Sequence, residues 1–291
     1  MRLFCKTRWL RKYVSDETFV LWQYERTLHQ ELNLKHPRTF NEKVQWLKLY
    51  WRNPLMTRCA DKYAVRDFVA ARVGPEILKR LHGVYHRPEE IDLAALPDRF
   101  MLKVNHGSGQ NIPCRNKAEL DWAATAQQLR KFLRQRHYHN GREWSYKDIP
   151  PRILCEEYLL ANPLMDYNFF CFDGVPRVVE VISDRLGSPH ASMFDLDWNR
   201  LERQYTLVPP LDPSAGKPPD FHRMVEYAAK LAKGFPFARV DFLHDGRRIY
   251  FGEITFYPRN GMNHFVPRSF DDFLGTMLEL PKPWRANSTV D

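Results

Sequence analysis

The sequence lacks a long apolar run, a paired-cysteine motif and an internal repeat. No stretch approaches the roughly 18 to 20 consecutive apolar residues of a membrane-spanning helix, and the charged residues within 1–17 interrupt anything like a signal peptide. The five cysteines are odd in number, scattered and without a C-x-x-C pair, which indicates reduced, packed thiols in a cytosolic protein. Because 44% of the residues are hydrophobic, we expect a packed globule rather than a disordered chain.

The chain is strongly basic, with a formal net charge of +9 at pH 7. Such a balance favours anionic partners, namely a nucleotide, an acidic sugar, a nucleic acid or a membrane surface. The basic residues are spread along the whole chain and no nucleic-acid-binding motif is present, so we predict no nucleic-acid partner.

The first 13 residues mix basic and apolar side chains, and two interpretations of this segment stay open. It could make peripheral contact with an anionic membrane, or it could form a helix packed on the protein's own core. We therefore expect a cytoplasmic protein, with the inner face of the membrane as the place of any peripheral contact. The residues concerned are Arg2, Lys6, Arg8, Arg11 and Lys12, interleaved with Leu3, Phe4, Trp9, Leu10 and Tyr13.

Helix signals dominate the chain up to about residue 72. Apolar residues recur at helical intervals between 17 and 32. Thr39 stands where it can cap a helix over 40–51. A further helix is expected over 61–73, where Gly74 and the proline after it would end it.

Strand signals then mix with helical ones, which predicts an α+β fold. The dipeptide Asp173-Gly174 favours a two-residue turn between two strands of a hairpin. The other expected elements are strands over 99–105 and 151–159, helices over 119–138, 221–235 and 269–280, and a hairpin over 238–258.

The stretch "MLKVNHGSGQN", residues 101–111, ends an apolar run in Lys103 and continues as a glycine-rich loop. Backbone N–H groups in such a loop can wrap an anion, and a nearby ammonium adds charge. A plain strand followed by a surface turn is the alternative. The common phosphate-binding patterns do not fit, because the lysine precedes the glycines and only Gly107 and Gly109 are present.

The hairpin over 238–258 carries a second set of charged residues. Alternation places Arg239 and Asp241 on one face of the first strand, and Glu253 and Thr255 on one face of the second. A loop of three or five residues would set Glu253 opposite Arg239 and diagonal to Asp241, with Cα atoms roughly 7–8 Å apart. Two carboxylates so placed can bracket Mg²⁺ on nucleotide phosphates; a plain cross-strand ion pair of Arg239 and Glu253 is the alternative.

Five segments of the chain occur in an informative order. In that order they resemble an ATP-grasp enzyme, and more narrowly the TupA-like family of teichuronopeptide biosynthesis, over about residues 38–280. "FNEKVQWLKLY", "KVNHGSG" and "FGEITFYP" are close to signature strings of that family. The five segments are "DKYAVRDFV", "FMLKVNHGSGQN", "RILCEEYL", "DYNFFCFDG" and "FARVDF" continued by "IYFGEITFYP".

The resemblance implies an ATP-grasp fold of two α+β subdomains, 73–162 and 163–285, with the nucleotide between them. Residues 1–72 form a helical region in the place where most ATP-grasp proteins have a nucleotide-fold-like domain. The substrate site therefore cannot be transferred from better-known ligases.

The resemblance also implies which residues hold the nucleotide phosphates. Lys103 would reach the α- and β-phosphates. The loop with Gly107, Ser108 and Gly109 would fold over them and donate backbone N–H groups. Lys62, in an Asp-Lys dipeptide, matches a second phosphate-binding lysine.

Further residues match positions that hold the rest of the nucleotide in that family. Arg66, one turn after the second lysine, could share its role. Glu156 matches the acid that reads the adenine edge, while Glu157 and Leu159 would contribute backbone contacts of the hinge. Asp166 matches the carboxylate that accepts hydrogen bonds from the ribose.

Metal and catalytic positions follow from the same resemblance. Asp241 and Glu253 match the metal carboxylates. Thr255 stands where the third ligand is usually asparagine, which leaves a third protein ligand in doubt. Arg239 matches the arginine that steadies the transferring phosphoryl group, and Arg185 would lie near the phosphates or an acidic acceptor.

The family is associated with cell-surface polysaccharide loci, and its characterised members are taken to join an amino acid to a uronic acid through an amide. The resemblance thus implies a carboxylate–amine ligase with ATP and Mg²⁺ as cofactors. The implied partners are an acidic sugar or polysaccharide precursor and an amino acid. Arg259 fills a position where a smaller residue is expected, and it could add charge for an acidic acceptor.

Three other functions stay open. A sugar or small-molecule kinase on the same scaffold would use the same ATP residues with a hydroxyl acceptor. Asp195 and Asp197 match the short D-x-D metal pattern of glycosyltransferases, although a turn explains them equally well. A non-catalytic basic binding module would leave the spacing of the charged hairpin unexplained.

Overall fold

A computed structural model describes residues 13–160, 164–184, 187–202 and 208–284 of the chain. The described α-helices are α1 (Asp16–Leu28), α2 (Phe40–Tyr50), α3 (Pro54–Ala60), α4 (Val65–Val73), α5 (Trp122–Arg134), α6 (Tyr138–Gly141), α7 (Phe221–Ala232) and α8 (Ser269–Met277). The strands are β1 (Leu81–Tyr85), β2 (Phe100–Val104), β3 (Asn111–Cys114), β4 (Ile153–Glu157), β5 (Met165–Phe172), β6 (Val175–Ser183), β7 (His190–Phe194), β8 (Phe237–His244) and β9 (Ile249–Thr255).

The helix starts follow capping chemistry in the sequence. Thr39 caps α2 through a capping box, in which its side chain accepts from the N–H of Glu42 and the Glu42 carboxylate accepts in return, as predicted. The short helix α3 was missed, although Asn53 and Pro54 are typical start residues. Helix α4 begins only at Val65, because the residues before it form a turn.

The first sheet has the strand order β1-β4-β2-β3, and every neighbouring pair is antiparallel. One face packs a small apolar core that includes Leu129 of α5 with Phe100, Leu102 and Cys155. Because side chains alternate along a strand, the opposite face of β2 carries Lys103. The sheet therefore offers an apolar face to its helix and a charged face to the other half of the protein.

The second sheet has the order β7-β6-β5-β8-β9, again antiparallel throughout. Its outer face packs on α7, where the ring of Phe169 lies 5.6 Å from Phe221 and 5.9 Å from Phe242. The hairpin turn between β5 and β6 has positive φ at Asp173 (47°) and Gly174 (75°), which confirms the predicted two-residue turn.

The inner face of the second sheet is apolar at one end, where α2 covers it. Phe40 of α2 is fully buried, and its ring lies 4.9 Å from Phe237, 6.1 Å from Phe172 and 6.3 Å from Phe170. The N-terminal helices thus share a core with the second sheet. The domain limits 1–72, 73–162 and 163–285 stay a prediction.

The structure can be compared with the predictions about cysteines and about membrane-spanning segments. Four cysteines, namely Cys59, Cys114, Cys155 and Cys171, are free and buried, as packed thiols should be. Cys5 and the basic apolar segment 1–12 lie outside the described residues. None of the helices in the described ranges has the length and apolarity to cross a membrane.

Candidate active site

A cleft of about 470 Å³ lies between the loop after β2 and the uncovered end of the second sheet. Four segments line it: the β2–β3 loop, residues 137–146, the inner face of the second sheet and the turn after β9. The cleft therefore brings the lysine–glycine motif and the charged hairpin, which lie far apart in the sequence, to one place.

The β8–β9 hairpin has a different register from the predicted one. Its loop contains four residues rather than three or five, so the predicted odd loop is wrong. A bulge at Gly252 shifts the pairing, and Asp241 lies directly opposite Glu253 instead of diagonal to it. Arg239 lies opposite Thr255, so the predicted direct pairing of Arg239 with Glu253 is also wrong.

The bulge completes a row of paired polar residues across the second sheet. From β6 to β9 the row runs Glu180, Asn168, Asp241 and Glu253. Asn168 Nδ2 donates to Glu180 Oε2 at 3.0 Å, and both side chains are buried. Directly paired residues project to the same face, so the four side chains form one polar strip. Sequence analysis missed Asn168 and Glu180.

Arg239 compensates the charge of the carboxylate pair. Its Nε and Nη2 donate to the two carboxylate oxygens of Asp241 at 2.8 and 2.6 Å, and Nη2 lies 3.9 Å from Glu253 Oε1. Arg239 and Asp241 are both buried. A two-point pair of this kind is strong and fixes the guanidinium plane. The structure therefore places Arg239 beside the carboxylates, while its catalytic role stays a prediction.

The oxygen atoms of the carboxylate pair fit a magnesium ion. Directly opposed residues have Cβ atoms about 4.5–5.5 Å apart, and Mg²⁺ prefers one or two carboxylates with phosphate and water oxygens. The hydroxyl of Thr255 lies 3.4 Å from Glu253 Oε1, where it can donate to that carboxylate and orient it. No group of three or more His, Cys, Asp or Glu side chains in the described ranges could hold a metal alone.

Lys103 forms the closest ion pair on the inner face of the first sheet. Its Nζ lies 2.6 Å from Glu156 Oε2. Glu156 is buried and also meets Lys79 Nζ at 3.7 Å and Arg66 Nη1 at 3.6 Å. Arg66 thus lies beside Glu156 rather than beside Lys62, and its predicted share in phosphate binding stays a prediction. Lys79 was missed by sequence analysis.

Burial and charge determine the pKa values of this cluster. Burial by itself raises the pKa of Glu156, but the charges of Lys103, Lys79 and Arg66 outweigh it and lower the pKa to about 2. Burial lowers the pKa of Lys103 to about 8, and the neighbouring charges of Lys79 and Lys62 add to this effect against the attraction of Glu156. Glu156 is thus always ionised near neutral pH, whereas Lys103 loses its proton in mildly alkaline solution.

Lys62 links the two sides of the cleft. Its Nζ donates to the carbonyl oxygen of Gly107 at 2.6 Å and lies 3.3 Å from Glu253 Oε2. One ammonium group therefore contacts both the glycine-rich loop and Glu253, while its phosphate-binding role stays a prediction.

The glycine-rich loop after β2 is anchored at its base. Asn105 is fully buried, donates to Asp61 Oδ1 at 2.9 Å and accepts from the N–H of Arg152 at 2.7 Å. His106 Nε2 lies 3.0 Å from the carbonyl oxygen of Gln135. Within the described chain, no hydrogen bond engages the backbone N–H groups of residues 107–109. The predicted donors Gly107, Ser108 and Gly109 are therefore available to an anion.

The remaining predicted nucleotide residues lie on or just after β4 and on β5. Glu157 points away from Glu156, and its Oε1 accepts from the N–H of Arg80 at 2.9 Å. Leu159 is half-buried just after β4. Asp166 is buried on β5 two residues before the polar strip and on the same face. Their nucleotide contacts stay a prediction, and Arg185 lies outside the described residues.

The N-terminal helix α1 holds the wall formed by residues 137–146. The side chain of Arg142 is almost fully buried, with Nε 3.3 Å from Asp16 Oδ1 and the guanidinium 4.6 Å from the ring centre of Phe19. Gln23 Nε2 donates to the carbonyl oxygen of Asn140 at 3.1 Å. The helical region thus shapes the cleft, which the sequence did not indicate.

Helix α2 holds the turn after β9. The buried Lys48 donates to the carbonyl oxygen of Asn260 at 2.8 Å and also to its side-chain oxygen. Burial lowers the pKa of Lys48 to about 7 against the attraction of Glu143. Arg259 and Asn260 have backbone φ values of 47° and 60°, which residues other than glycine rarely adopt. These anchors hold both residues at the edge of the cleft.

Two antiparallel sheets, with a lysine and a glycine-rich loop on one and a carboxylate hairpin on the other, have the arrangement of an α+β ATP-grasp fold. The sequence profile of the TupA-like ATP-grasp family matches residues 42–279, and the chain belongs to that family. The predicted family and fold class are thereby confirmed.

Solved structures resemble the chain more distantly. The D-alanine–D-alanine ligase from Bacillus anthracis is 17% identical, with a TM-score of 0.42 over 79% of this chain and 64% of that one. The ATP-grasp ligase PsnB with its minimal precursor is 12% identical, with a TM-score of 0.41 over 74% and 59%. D-cycloserine synthetase DcsG is 16% identical, with a TM-score of 0.39 over 70% and 64%.

All three solved structures are distant from this chain in both sequence identity and TM-score. The chain also spans less than two thirds of each of those three chains. No curated protein matches the sequence.

The pKa of Lys103 predicts how ADP affinity changes with pH. A protonated Lys103 attracts phosphate, and above its pKa of about 8 the charge is lost. ADP affinity, measured by calorimetry between pH 7 and pH 9.5, should therefore fall by up to about tenfold per pH unit above that value. Lys103→Met should bind weakly at every pH and lack the fall, whereas the exposed-site control Lys131→Met should keep it. An equal fall in Lys103→Met would contradict the assignment.

Because of the bulge, we expect a methyl group at position 252 to destabilise the fold. A Cβ there would lie 2.8 Å from the backbone oxygen of Asp241, so the pairing must shift. Gly252→Ala should destabilise the fold by roughly 1–3 kcal/mol in denaturant titrations. It should also weaken ADP binding more with magnesium than without. Gly216→Ala is the matched control, because nothing lies within 4 Å of its Cβ. If the two variants behave alike, the bulge has no such role.

Proposed function

We propose that the protein is an ATP-dependent carboxylate–amine ligase, which activates a carboxylate as an acyl phosphate and joins it to an amine. One observation carries the proposal. Lys62 contacts both the glycine-rich loop and Glu253, Arg239 pairs with Asp241 directly opposite Glu253, and Lys103 stands at the base of the loop with its available N–H donors. Such a combination fits a nucleotide triphosphate with its magnesium ion.

The nucleotide phosphates bind next to the cluster around Glu156 in this proposal. Lys103, Lys79 and Arg66 together carry more charge than one carboxylate offsets, so the cluster keeps a net attraction for anions. The N–H groups of Gly107 and the following residues add donors. We assign the adenine to the chain after β4 and the ribose to Asp166, as the family resemblance implies.

The carboxylate pair holds the metal in this proposal. Asp241 and Glu253 would bind Mg²⁺, which supplies positive charge to the phosphate oxygens when bound. Arg239 contacts Asp241 at 2.6 Å, and Lys62 contacts Glu253 at 3.3 Å. Both cations would then be available to the phosphate oxygens that arrive with the nucleotide.

The reaction has two steps. The substrate carboxylate attacks the γ-phosphorus of ATP, the bond to the bridging oxygen breaks, and ADP leaves. The amine then attacks the acyl carbon, the bond from that carbon to the phosphate oxygen breaks, and inorganic phosphate leaves. Arg239 stands where negative charge moves in the first step, and an interaction that is strongest in the transition state accelerates it. The chemistry needs no side-chain nucleophile.

The proposed substrates are a uronic acid of a cell-surface polysaccharide precursor and an amino acid. Arg259 supports the acidic acceptor, because it lines the cleft together with Arg239. Its turn is fixed by Lys48, so the cation is presented from a rigid support. A basic residue of this kind fits the carboxylate of a uronic acid.

The structure weighs against the D-x-D interpretation. Asp195 accepts hydrogen bonds from the backbone N–H of Asn199 at 2.7 Å and from its side-chain amide at 2.9 Å. These bonds close a local turn, and Asp197 is exposed. A kinase would share every ATP residue, and only the product distinguishes it from a ligase.

A product screen tests the proposed function. The protein is incubated with ATP, magnesium, single uronic acids and a mixture of amino acids, and the products are read by mass spectrometry. The proposal expects a mass gain equal to one amino acid minus water, with release of ADP and phosphate. A gain of one phosphoryl group on the sugar would identify a kinase instead.

Variants of the hairpin test which residues carry the chemistry. Asp241→Asn should lose most turnover and the magnesium dependence of nucleotide binding, because the metal loses an anionic ligand. Arg239→Lys should keep ADP affinity but lose turnover on the order of 10²–10³-fold, since a point charge replaces the two-point donor. Asp195→Asn is the control and should be fully active. Loss in Asp195→Asn with full activity in Asp241→Asn would reverse the assignment.

A further inference from the structure

His137 and Glu143 form a pair in the cleft wall that the nucleotide and metal assignments do not use. His137 Nε2 lies 3.3 Å from Glu143 Oε1. Their side chains are 21% and 12% exposed, and both line the cleft together with Arg239 and Glu253. An imidazole oriented by a carboxylate is the arrangement that prepares a histidine for proton transfer.

The pair is held rigidly. The N–H of Tyr146 donates to the carbonyl oxygen of Glu143 at 3.1 Å, and the rings of His137 and Tyr146 meet edge to face at 4.7 Å. Arg142, directly before Glu143, is anchored to α1 through Asp16. When Nε2–H is donated to Glu143, the lone pair of the imidazole is on Nδ1.

Tyr146 connects this pair to the reacting centre. Burial raises the pKa of Tyr146 well above its ordinary value, and the carboxylates of Glu253, Glu143 and Asp241 add to the rise. One ring is therefore within electrostatic reach of the metal carboxylates on one side and of Glu143 on the other. The His137–Glu143 pair lines the same cleft as Arg239 and Glu253, the pair from residues 137–146 and the other two from the second sheet.

We propose that His137, oriented by Glu143, is the base that accepts a proton from the attacking amine, and that the pair forms the amine subsite. This inference rests on the proposed ligase function. The amine reaches the enzyme as an ammonium ion, which the carboxylate of Glu143 attracts. Nδ1 of His137 takes one proton from the ammonium ion and frees the nitrogen lone pair, and attack on the acyl phosphate then forms the C–N bond and breaks the C–O bond. The nitrogen gives up two protons, of which one leaves on hydrogen phosphate and the other goes to Nδ1 of His137.

The charge distribution of the cleft agrees with this division. The cations Arg239 and Arg259 lie on the walls from the second sheet and its following turn, where they suit the substrate carboxylate; of the two acidic residues on the same sheet, Glu253 is assigned to the metal and Glu180 is bonded to Asn168. Glu143 and His137 lie on the wall from the first half of the chain, where they suit a cation. The two substrates would thus approach the acyl carbon from different sides.

Hydroxylamine gives the sharpest test, because its nitrogen is uncharged at neutral pH and captures acyl phosphates without help from a base. Wild type, His137→Gln and Glu143→Gln are compared with ATP, magnesium and D-glucuronic or D-galacturonic acid. One reaction contains hydroxylamine and the other the amino-acid mixture. His137→Gln should lose amide formation by on the order of 10²-fold or more, while hydroxamate formation and calorimetric ADP affinity stay near wild type.

Glu143→Gln should show the same split with a smaller loss, because the base remains but its orientation weakens. His222→Gln is the matched control, since His222 is exposed on α7 and does not line the cleft, and it should leave both products unchanged. Equal loss of hydroxamate and amide in His137→Gln, or no loss of either, would overturn the inference. Absence of hydroxamate in wild type with every uronic acid would instead count against the proposed ligase function.

Discussion

Because side chains alternate along a β-strand, the register of each strand determines which face of the sheet its charged residues occupy. With its four-residue loop, plain pairing of β8 with β9 would set Gly252 opposite Asp241 and turn Glu253 toward the apolar face covered by α7. One extra residue restores Glu253 to the inner face and completes the polar strip. Only glycine fits at the bulge, because a Cβ would lie 2.8 Å from the Asp241 oxygen. The proposed metal and phosphate chemistry depends on this local irregularity.

The carboxylates of the site are neutralised by neighbouring basic side chains. Three carboxylates at the site have a basic partner: Glu156 has Lys103, Asp241 has Arg239, and Glu253 has Lys62. Buried charges are costly unless they are paired. These pairs stabilise the charged side chains of the site and hold the cations where nucleotide phosphates would bind. Binding of a magnesium nucleotide would exchange partners rather than create new buried charge, so the site can be formed before its ligand arrives.

The sequence was sufficient where local rules decide the outcome. The capping residue Thr39, the turn at Asp173-Gly174 and the lysine at the end of β2 follow from side-chain chemistry alone. It was insufficient where a bulge changes register. The turn after β5 would pair Asn168 with Val179, but a shift between Phe170 and Cys171 brings it opposite Glu180 instead. Contacts between distant segments also escaped, because nothing local indicates that α1 supports the wall at 137–146. The nucleotide roles of the predicted site residues stay predictions.

The central claim is that a carboxylate oxygen becomes part of the released phosphate. It can be measured with a uronic acid that carries a heavy oxygen isotope in both carboxylate positions, together with ATP, magnesium and the amino-acid mixture. Cleavage of the bond between the acyl carbon and the phosphate oxygen transfers one heavy oxygen to inorganic phosphate and leaves the other in the amide. Mass spectrometry of the phosphate should therefore find one heavy atom per molecule. Phosphate without label, while labelled sugar product accumulates, would contradict the account.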